Sequence, residues 1–326
     1  MITWGINALN HDASISVFAG DEFKLHQRAS EFSGKRGDDQ LNSDLVRAAI
    51  NASNGQGPSE IVWYEKPLLK KFRQIRAGQW NWVFDRNELP KRYLSKFALR
   101  YPKIIYGDHH RSHAAAGFFT SPFETATVVV LDAIGEWESA TIWRGQGTKL
   151  EKVWSRSYPT SLGIFYSAFT DLIGLKPTAE EHILQALSEK GDRERFYHRI
   201  KKYWRSDWTL RTNLHKGVRD WPYDIRQEDH ADIAAAVQGV FEEQALEVFS
   251  WADRLAPNEN IVYMGGCAMN SLFNQQYLED RYRGIWSLPI PGDASSAIGC
   301  VLYHKKLRLS YKGDLAKHIK IKYNKQ

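Results

Sequence analysis

One order of elements is written twice along this chain, and that repetition narrows the possible folds more than any other feature. The segments ITWGINAL, ASISVFAG and EFKLHQRAS read as three short strands with turns at Asn10–His11 and Gly20–Asp21. A helix is expected over 42–53, where Leu45, Ala48, Ala49 and Ala52 form one stripe behind a cap at Asn42 or Ser43. A buried strand at 60–65, two basic helices within 66–100, and a strand at 103–110 feeding a helix at 110–119 complete the first round. The second round repeats the meander with 125–137, 138–145 and 149–157, and helices then dominate from Leu162 to Leu255. The last is long, with Ile233, Val237, Val240, Phe241, Val248, Trp251 and Leu255 on its buried stripe. A strand at 260–266, a helix from Met269, a short strand at GIWSLP and a helix after Gly292–Asp293 close the chain. Two such rounds argue for a duplicated α/β architecture, with lobes of residues 1–120 and 121–326 facing each other across a cleft.

With 326 residues the chain is long enough for two cores. Its two cysteines, Cys267 and Cys300, stand outside any CxxC pair, which excludes a disulfide framework and a multi-cysteine zinc site. The opening MITWGINALN has no secretory pattern, and no apolar run approaches the length of a membrane span. A soluble cytoplasmic protein with no membrane partner is the expectation.

Charge is unevenly spread. The formal net charge is +6, yet residues 66–103 carry +9, 190–226 carry +6 and the tail 305–326 carries +7. The first of these interleaves Phe72, Trp80, Trp82, Phe84, Tyr93, Phe97 and Tyr101 with its cations. Cations for phosphates and flat rings for exposed bases are what a nucleic-acid-binding face needs, although basic amphipathic helices also serve as plain solvated surfaces.

Three groups of residues could carry chemistry. His109 and His113 in HHRSH are four apart, on one face if a single helix holds both, and such a pair can grip one metal ion. Further ligands must come from elsewhere, Asp132 after the apolar VVVL and Asp293 in PGDASSA being candidates; His110 is an alternative to either histidine, and a helix cap is the bland role for Asp293. The turns GGCAMN at 265–270 and TSLG at 160–163 could approach a phosphate at a helix start through Gly265, Gly266, Ser161 and Gly163, or could be ordinary tight turns. In NHDAS, Asp12 could accept a proton from an acceptor hydroxyl with His11 beside it, while turn chemistry explains the same residues equally well.

Taken in order, GINALNHDASISVF, HHRSHAAAGFFTSPFETATVVVLDAIGEW, SLGIFYSAFTDLIGLK, GGCAMN and PGDASSAIGCVL resemble the O-carbamoyltransferases of the nodulation-factor and antibiotic type, over nearly the whole chain. The same part resembles the tRNA threonylcarbamoyl transferase. The resemblance implies a duplicated actin-like, sugar-kinase-like (ribonuclease H-like) ATPase fold. It implies an iron site, Fe(II) or another divalent metal, at His109, His113, Asp132 and Asp293, and a nucleotide-binding turn at Gly265, Gly266 and Asn270. It also implies a nucleotide-side role for Glu181 and a base at Asp12 with His11. Ile183 and the run Ser188, Glu189, Lys190 depart from the family's pattern around that glutamate. The family's carbamoyl-adenylate-forming domain is not seen in this sequence, so a separate protein is expected to make the activated donor from carbamoyl phosphate and ATP. The implied activity is carbamoyl transfer to a hydroxyl, giving a carbamate ester and AMP. The basic, aromatic segments direct the acceptor toward a 5-hydroxymethylpyrimidine in DNA, such as 5-hydroxymethylcytosine in a bacteriophage modification system, which would place the protein in a host cytoplasm. The alternatives are a catalytically silent nucleic-acid-binding subunit of a two-component enzyme and a tRNA-modifying carbamoyltransferase.

Overall fold

The computed structural model of the chain describes residues 1–85, 89–97, 99, 102–222, 224–310 and 315. The first sheet contains β1 (Ile2–Asn7), β2 (Ser14–Ala19), β3 (Glu22–Arg28), β4 (Glu60–Trp63) and β5 (Lys103–Tyr106), in spatial order β3-β2-β1-β4-β5. The second contains β6 (Thr125–Leu131), β7 (Glu138–Gln146), β8 (Lys149–Ser157), β9 (Asn260–Met264) and β10 (Gly284–Trp286), in order β10-β9-β6-β7-β8. Read from the meander edge, both sheets run third, second, first, fourth, fifth. In both, the first three strands pair antiparallel and the last two join in parallel. The duplication expected from the order of elements is therefore a duplication of topology.

Each round's closing helix lies against the other round's sheet. The helix His109–Phe118 packs on β6, β7 and β9, the helix Ser296–Lys305 packs on β1, β2 and β4, and the two helices pack on each other. The contact is closest at Gly299, where a Cβ would lie 1.8 Å from the carbonyl oxygen of Ser112. Only a residue without a side chain allows that approach. One apolar cluster thus runs from Trp4, Ile6 and Ile15 through Ala114 and Val301 to Val128 and Val262. A second fills the other face of the second sheet, beneath the helices Leu162–Leu172 and His230–Leu255. Stripe positions Ile233, Val237, Val240, Phe241 and Val248 are buried there as expected, whereas Leu255 is exposed at the helix end.

Local chemistry shifted several boundaries. The strand expected over 103–110 stops at Tyr106, because Asp108 caps the next helix by accepting from the Arg111 amide, which places both His109 and His110 inside the helix. The strand expected over 260–266 ends at Met264, since Gly265 turns the chain with φ +92°. The helix expected from Met269 is a different object. Gly266–Met269 is a 3₁₀ turn, Ser271–Phe273 a three-residue helix and Asn274–Leu278 a π turn.

The basic segments also sort themselves. In 66–103, Phe72, Trp80, Trp82 and Phe84 are exposed on the helices Pro67–Arg76 and Trp80–Phe84, while Tyr93 is buried and accepts from the Leu41 amide. Phe97 packs against the first core, and Tyr101 lies outside the described residues. In 190–226 several cations are already paired, Arg195 with Asp229 and Asp232, Lys201 with Glu243, and Arg226 with Glu228. Arg308 spends its guanidinium on the carbonyls of Gly147, Ser121 and Phe123, and the tail at 311–314 and 316–326 lies outside the described residues. These are structural uses of charge, and they leave the helices of 67–84 as the described basic segment with exposed rings.

Candidate functional site

His109 and His113 stand one turn apart on the helix His109–Phe118 and are fully buried. Asp132 follows β6 directly, and its Oδ1 accepts from the Gly266 amide at 2.9 Å, which aims Oδ2 at His109 Nε2, 3.2 Å away. Asp293 arrives from the far end of the chain. Its Oδ1 lies 3.2 Å from His113 Nε2 and 3.4 Å from His109 Nε2, while Oδ2 accepts from Asn10 Nδ2 at 2.8 Å. The two Nε2 atoms are 3.1 Å apart. One ligand atom from each of the four residues falls within 4.8 Å of the other three. Asp293 does not act as a cap in this arrangement, because its oxygens are turned to Asn10, His109 and His113.

The electrostatics match a site built for a cation. Burial opposes charge on His109, but Asp293 and Asp132 outweigh it and hold the imidazole well above its ordinary range. Burial works against the Asp293 carboxylate too, yet His11 and His109 hold it well below the usual carboxylate range. Two carboxylates and two imidazole nitrogens converging in the interior, with the Nδ1 atoms of both histidines lacking a partner among the described residues, form a mixed N/O donor set without thiolate. Four of the six donor-to-donor separations are 3.1 to 3.4 Å and all six are within 4.8 Å, a spacing that a first-row divalent ion, with metal–donor distances of about 2.1 Å and neighbouring donors about 3.0 to 3.4 Å apart, could draw together. His110 faces away and contacts Thr141 Oγ1 at 3.0 Å; burial first, then His109, lower its pKa to about 3.

His11 and Asp12 sit at the mouth of this cluster on the β1–β2 turn, with His11 Nδ1 3.0 Å from Asp12 Oδ2 and His11 Nε2 3.4 Å from Asp293 Oδ2. Burial disfavours a charged His11, but Asp293 and then Asp12 raise its pKa to about 10. Across this contact the His11 ring can donate a hydrogen bond to the Asp12 carboxylate.

A cleft of about 380 Å³ opens from this point and is lined by Asp12, Gly163, Glu181, Gly266 and Asn270, among others. Asn270 is locked in place by paired bonds to Gln238 and by accepting from the Phe273 amide. Glu181 accepts from Ser167 and from the Thr178 amide. Two expected members are not on the wall. Ser161 is buried as the cap of the helix Leu162–Leu172, accepting from the Ile164 amide and donating to the Ala133 carbonyl, so its hydroxyl is spent. Gly265 shapes the turn from beneath, with a Cβ position only 2.2 Å from the Leu131 carbonyl oxygen. Because only a 3₁₀ turn and a three-residue helix follow it, that turn offers single amides rather than a long helix dipole.

Residues not singled out in the sequence complete the site. Asn10 holds Asp293, and Glu136 accepts from the amides of His109 and Lys66, fixing the start of the histidine helix. Tyr64 packs its ring against that of His109. Asn10 lay within NHDAS and Glu136 within the acidic turn after β6, but nothing local tells a turn residue from one that supports another side chain.

Residues 69–302 match the family model described as Carbamoyltransferase N-terminus. The chain belongs to that family. Curated relatives include the uncharacterized protein sll1178 of Synechocystis sp., 28% identical over 93% of this chain and 57% of its own length. Nodulation protein NolNO of Sinorhizobium fredii is 24% identical over 61% of this chain and 31% of its own, and NolO of Bradyrhizobium diazoefficiens is 23% identical over 60% and 37%. The chain thus spans about half, or less, of the length of these relatives. Among solved structures, the activator of the 2-hydroxyisocaproyl-CoA dehydratase from Clostridium difficile with bound ADPNP superposes with a TM-score of 0.50 at 14% identity, covering 98% of this chain and 99% of that one. Likeness at that level shows the fold, a duplicated actin-like ATPase fold. The carbamoyltransferase N-terminus match includes all four convergent donors, whereas His11 and Asp12 precede it. Among the described residues, no helix is long and apolar enough to cross a membrane.

Proposed function

We propose that the protein transfers a carbamoyl group from carbamoyl-adenylate, made from carbamoyl phosphate and ATP, to an acceptor hydroxyl, and that the acceptor is a 5-hydroxymethylpyrimidine in DNA. The observation that carries the reading is the convergence of His109, His113, Asp132 and Asp293 beside Asp12 at the mouth of a cleft large enough for a nucleotide. Membership of the carbamoyltransferase family supplies the group transferred. A divalent metal at those four residues, Fe(II) in this reading, contributes Lewis-acid charge beside the donor. Gly163, Gly266, Asn270 and Glu181 form the wall against which the adenylate lies. His11 orients Asp12 through their contact, and Asp12 takes the proton of the acceptor hydroxyl. The acceptor oxygen bonds to the carbamoyl carbon, and the bond from that carbon to the adenylate oxygen breaks, its electron pair leaving with AMP.

DNA as acceptor is supported by the exposed Phe72 on the basic helix Pro67–Arg76 and the exposed Trp80, Trp82 and Phe84 on the short helix after it, with Lys91 and Arg92 exposed beyond them. A base inside a duplex must leave the stack to reach buried chemistry, and such rings can receive it. The test is to incubate the protein, Fe(II) and carbamoyl-adenylate with hydroxymethylated DNA, and with tRNA in parallel, then digest and weigh the nucleosides. A hydroxymethylpyrimidine heavier by one carbamoyl group, lost in Asp12→Asn, is expected. An unchanged DNA digest with a modified tRNA nucleoside would move the activity to tRNA. No product on either, with DNA binding intact, would leave a binding subunit.

A further inference from the structure

On the other side of His11 from the nucleotide cleft lies a second cavity of about 440 Å³, with Asn10, His11, Lys70, Arg73, Trp82 and His215 in its wall. Its chemistry centres on Arg73. This side chain is only 5% exposed, and its Nε is buried without a hydrogen-bond partner. Lys70, one turn earlier on the same helix, is satisfied by Glu65 and by the Leu9 carbonyl; Arg73 has no equivalent partner among the described residues. Burial lowers the pKa of the guanidinium, and the fields of Glu65 and Glu136 resist that shift without either carboxylate bonding it. A buried guanidinium Nε without an acceptor is costly, and the planar fork of donors to which it belongs suits the oxygens of a phosphate or carboxylate.

The remainder of the wall narrows the ligand. Lys216 adds an exposed cation to the two buried ones, and Trp82, half exposed, adds a flat apolar face. Asp39 and Asp171 also line the cavity, so a wholly anionic ligand is disfavoured; one anionic end and a remainder rich in hydrogen-bond donors fits better. A nucleotide unit has that make-up, with its phosphate at one end and its amino and hydroxyl donors at the other. Because His11 lines both cavities, a hydroxyl at the inner end of such a ligand would meet the His11–Asp12 pair.

We infer that this cavity is the acceptor compartment and that it takes a phosphate ester, with Arg73 on the phosphate and Trp82 against the base. Its role as an acceptor site rests on the carbamoyl transfer proposed above; phosphate recognition by Arg73 does not. The phosphate belongs either to a free mononucleotide or to the backbone of a single strand.

Calorimetric titration without any donor separates these. The probes are 5-hydroxymethyl-dCMP, the corresponding nucleoside, and a short single-stranded oligonucleotide carrying the same base. The nucleotide should bind the wild-type protein about tenfold or more tightly than the nucleoside, and inorganic phosphate should compete with it. Arg73→Gln should erase the difference and Arg73→Lys should restore part of it, with thermal melting reporting whether each variant folds. An oligonucleotide that binds tighter than the mononucleotide, and still depends on Arg73, identifies the backbone as the source; the reverse order identifies a free nucleotide. Equal affinity for nucleotide and nucleoside in the wild-type protein, or a nucleotide affinity unmoved by Arg73→Gln, overturns the inference. Arg73-dependent binding without carbamoyl transfer to any of the probes supports the phosphate site and counts against the proposed reaction alone.

Discussion

Asn10 shows how one residue outside the donor set governs it. Its Nδ2 donates to Asp293 Oδ2 at 2.8 Å, which leaves Oδ1 toward the two histidines. Groups that orient a ligand in this way typically contribute about 10- to 100-fold in metal affinity. Asn10→Ala is therefore expected to weaken Fe(II) or Zn(II) binding by that factor with little change in the melting temperature, as followed by metal titration against a chromophoric chelator. Unaltered affinity would remove Asn10 from the site. His26 on β3 makes a different kind of prediction. Its ring sits 2.9 Å from Ser16 Oγ, and burial, aided by Arg28, lowers its pKa from 6.5 to about 3. The unfolded chain binds the extra proton between those two values, so the stability contribution is complete above pH 6.5 and is lost as pH falls toward 3. At pH of about 4.5 the loss from this residue is about 3 kcal/mol. Urea midpoints measured across that range should fall more steeply for the wild-type protein than for His26→Gln, and parallel slopes would contradict the assignment.

At the scale of elements, the crossing of the helices His109–Phe118 and Ser296–Lys305 positions the metal-site residues. Gly299 makes it possible, its Cβ position lying 1.8 Å from Ser112 O and 2.6 Å from the Ala116 amide nitrogen. A side chain there must push the helices apart and carry Asp293 away from His113. Gly299→Val is expected to cost at least about 1–3 kcal/mol of stability, the usual range for overpacking, and to abolish high-affinity metal binding. Gly57, with no atom within 4 Å of its Cβ position, is the control; Gly57→Ala should stay within about 0.5 kcal/mol by chemical denaturation. The strands and the helix Ser43–Ala52 were legible because period-two runs and a capped apolar stripe are local signals. The segment after Gly265 was not legible, since a 3₁₀ turn, one helical turn and a π turn have no common period by which to recognise them.

Across the whole molecule, exposure decides which aromatic residues are free to meet a ligand. Tyr93 and Trp82 looked alike in the same basic segment, but Tyr93 is 2% exposed and Trp82 is 50% exposed. Joint replacement of Trp80 and Trp82 by Ala should lower single-stranded DNA affinity by about 1–3 kcal/mol for each stacked base lost, measured by fluorescence anisotropy at fixed salt, and leave the melting temperature unchanged. Tyr93→Ala should instead destabilise the fold by about 3–5 kcal/mol, as expected for a large core truncation. If both changes act only on stability, the exposed rings have no part in DNA binding.

Local pattern was enough to read the repeated order of strands and helices, the polar turn between the first two strands that carries His11 and Asp12, and the spacing of His109 and His113, because each depends on neighbours a few positions apart. The folded chain alone decided that Asp293, 180 positions from His113, shares its pocket, that Ser161 caps a helix while Gly163 lines a cleft, and that Arg73 lies unpaired at a cavity wall. Those outcomes depend on how closely two helices and two sheets approach, which is set by packing between segments and leaves no periodic trace in either.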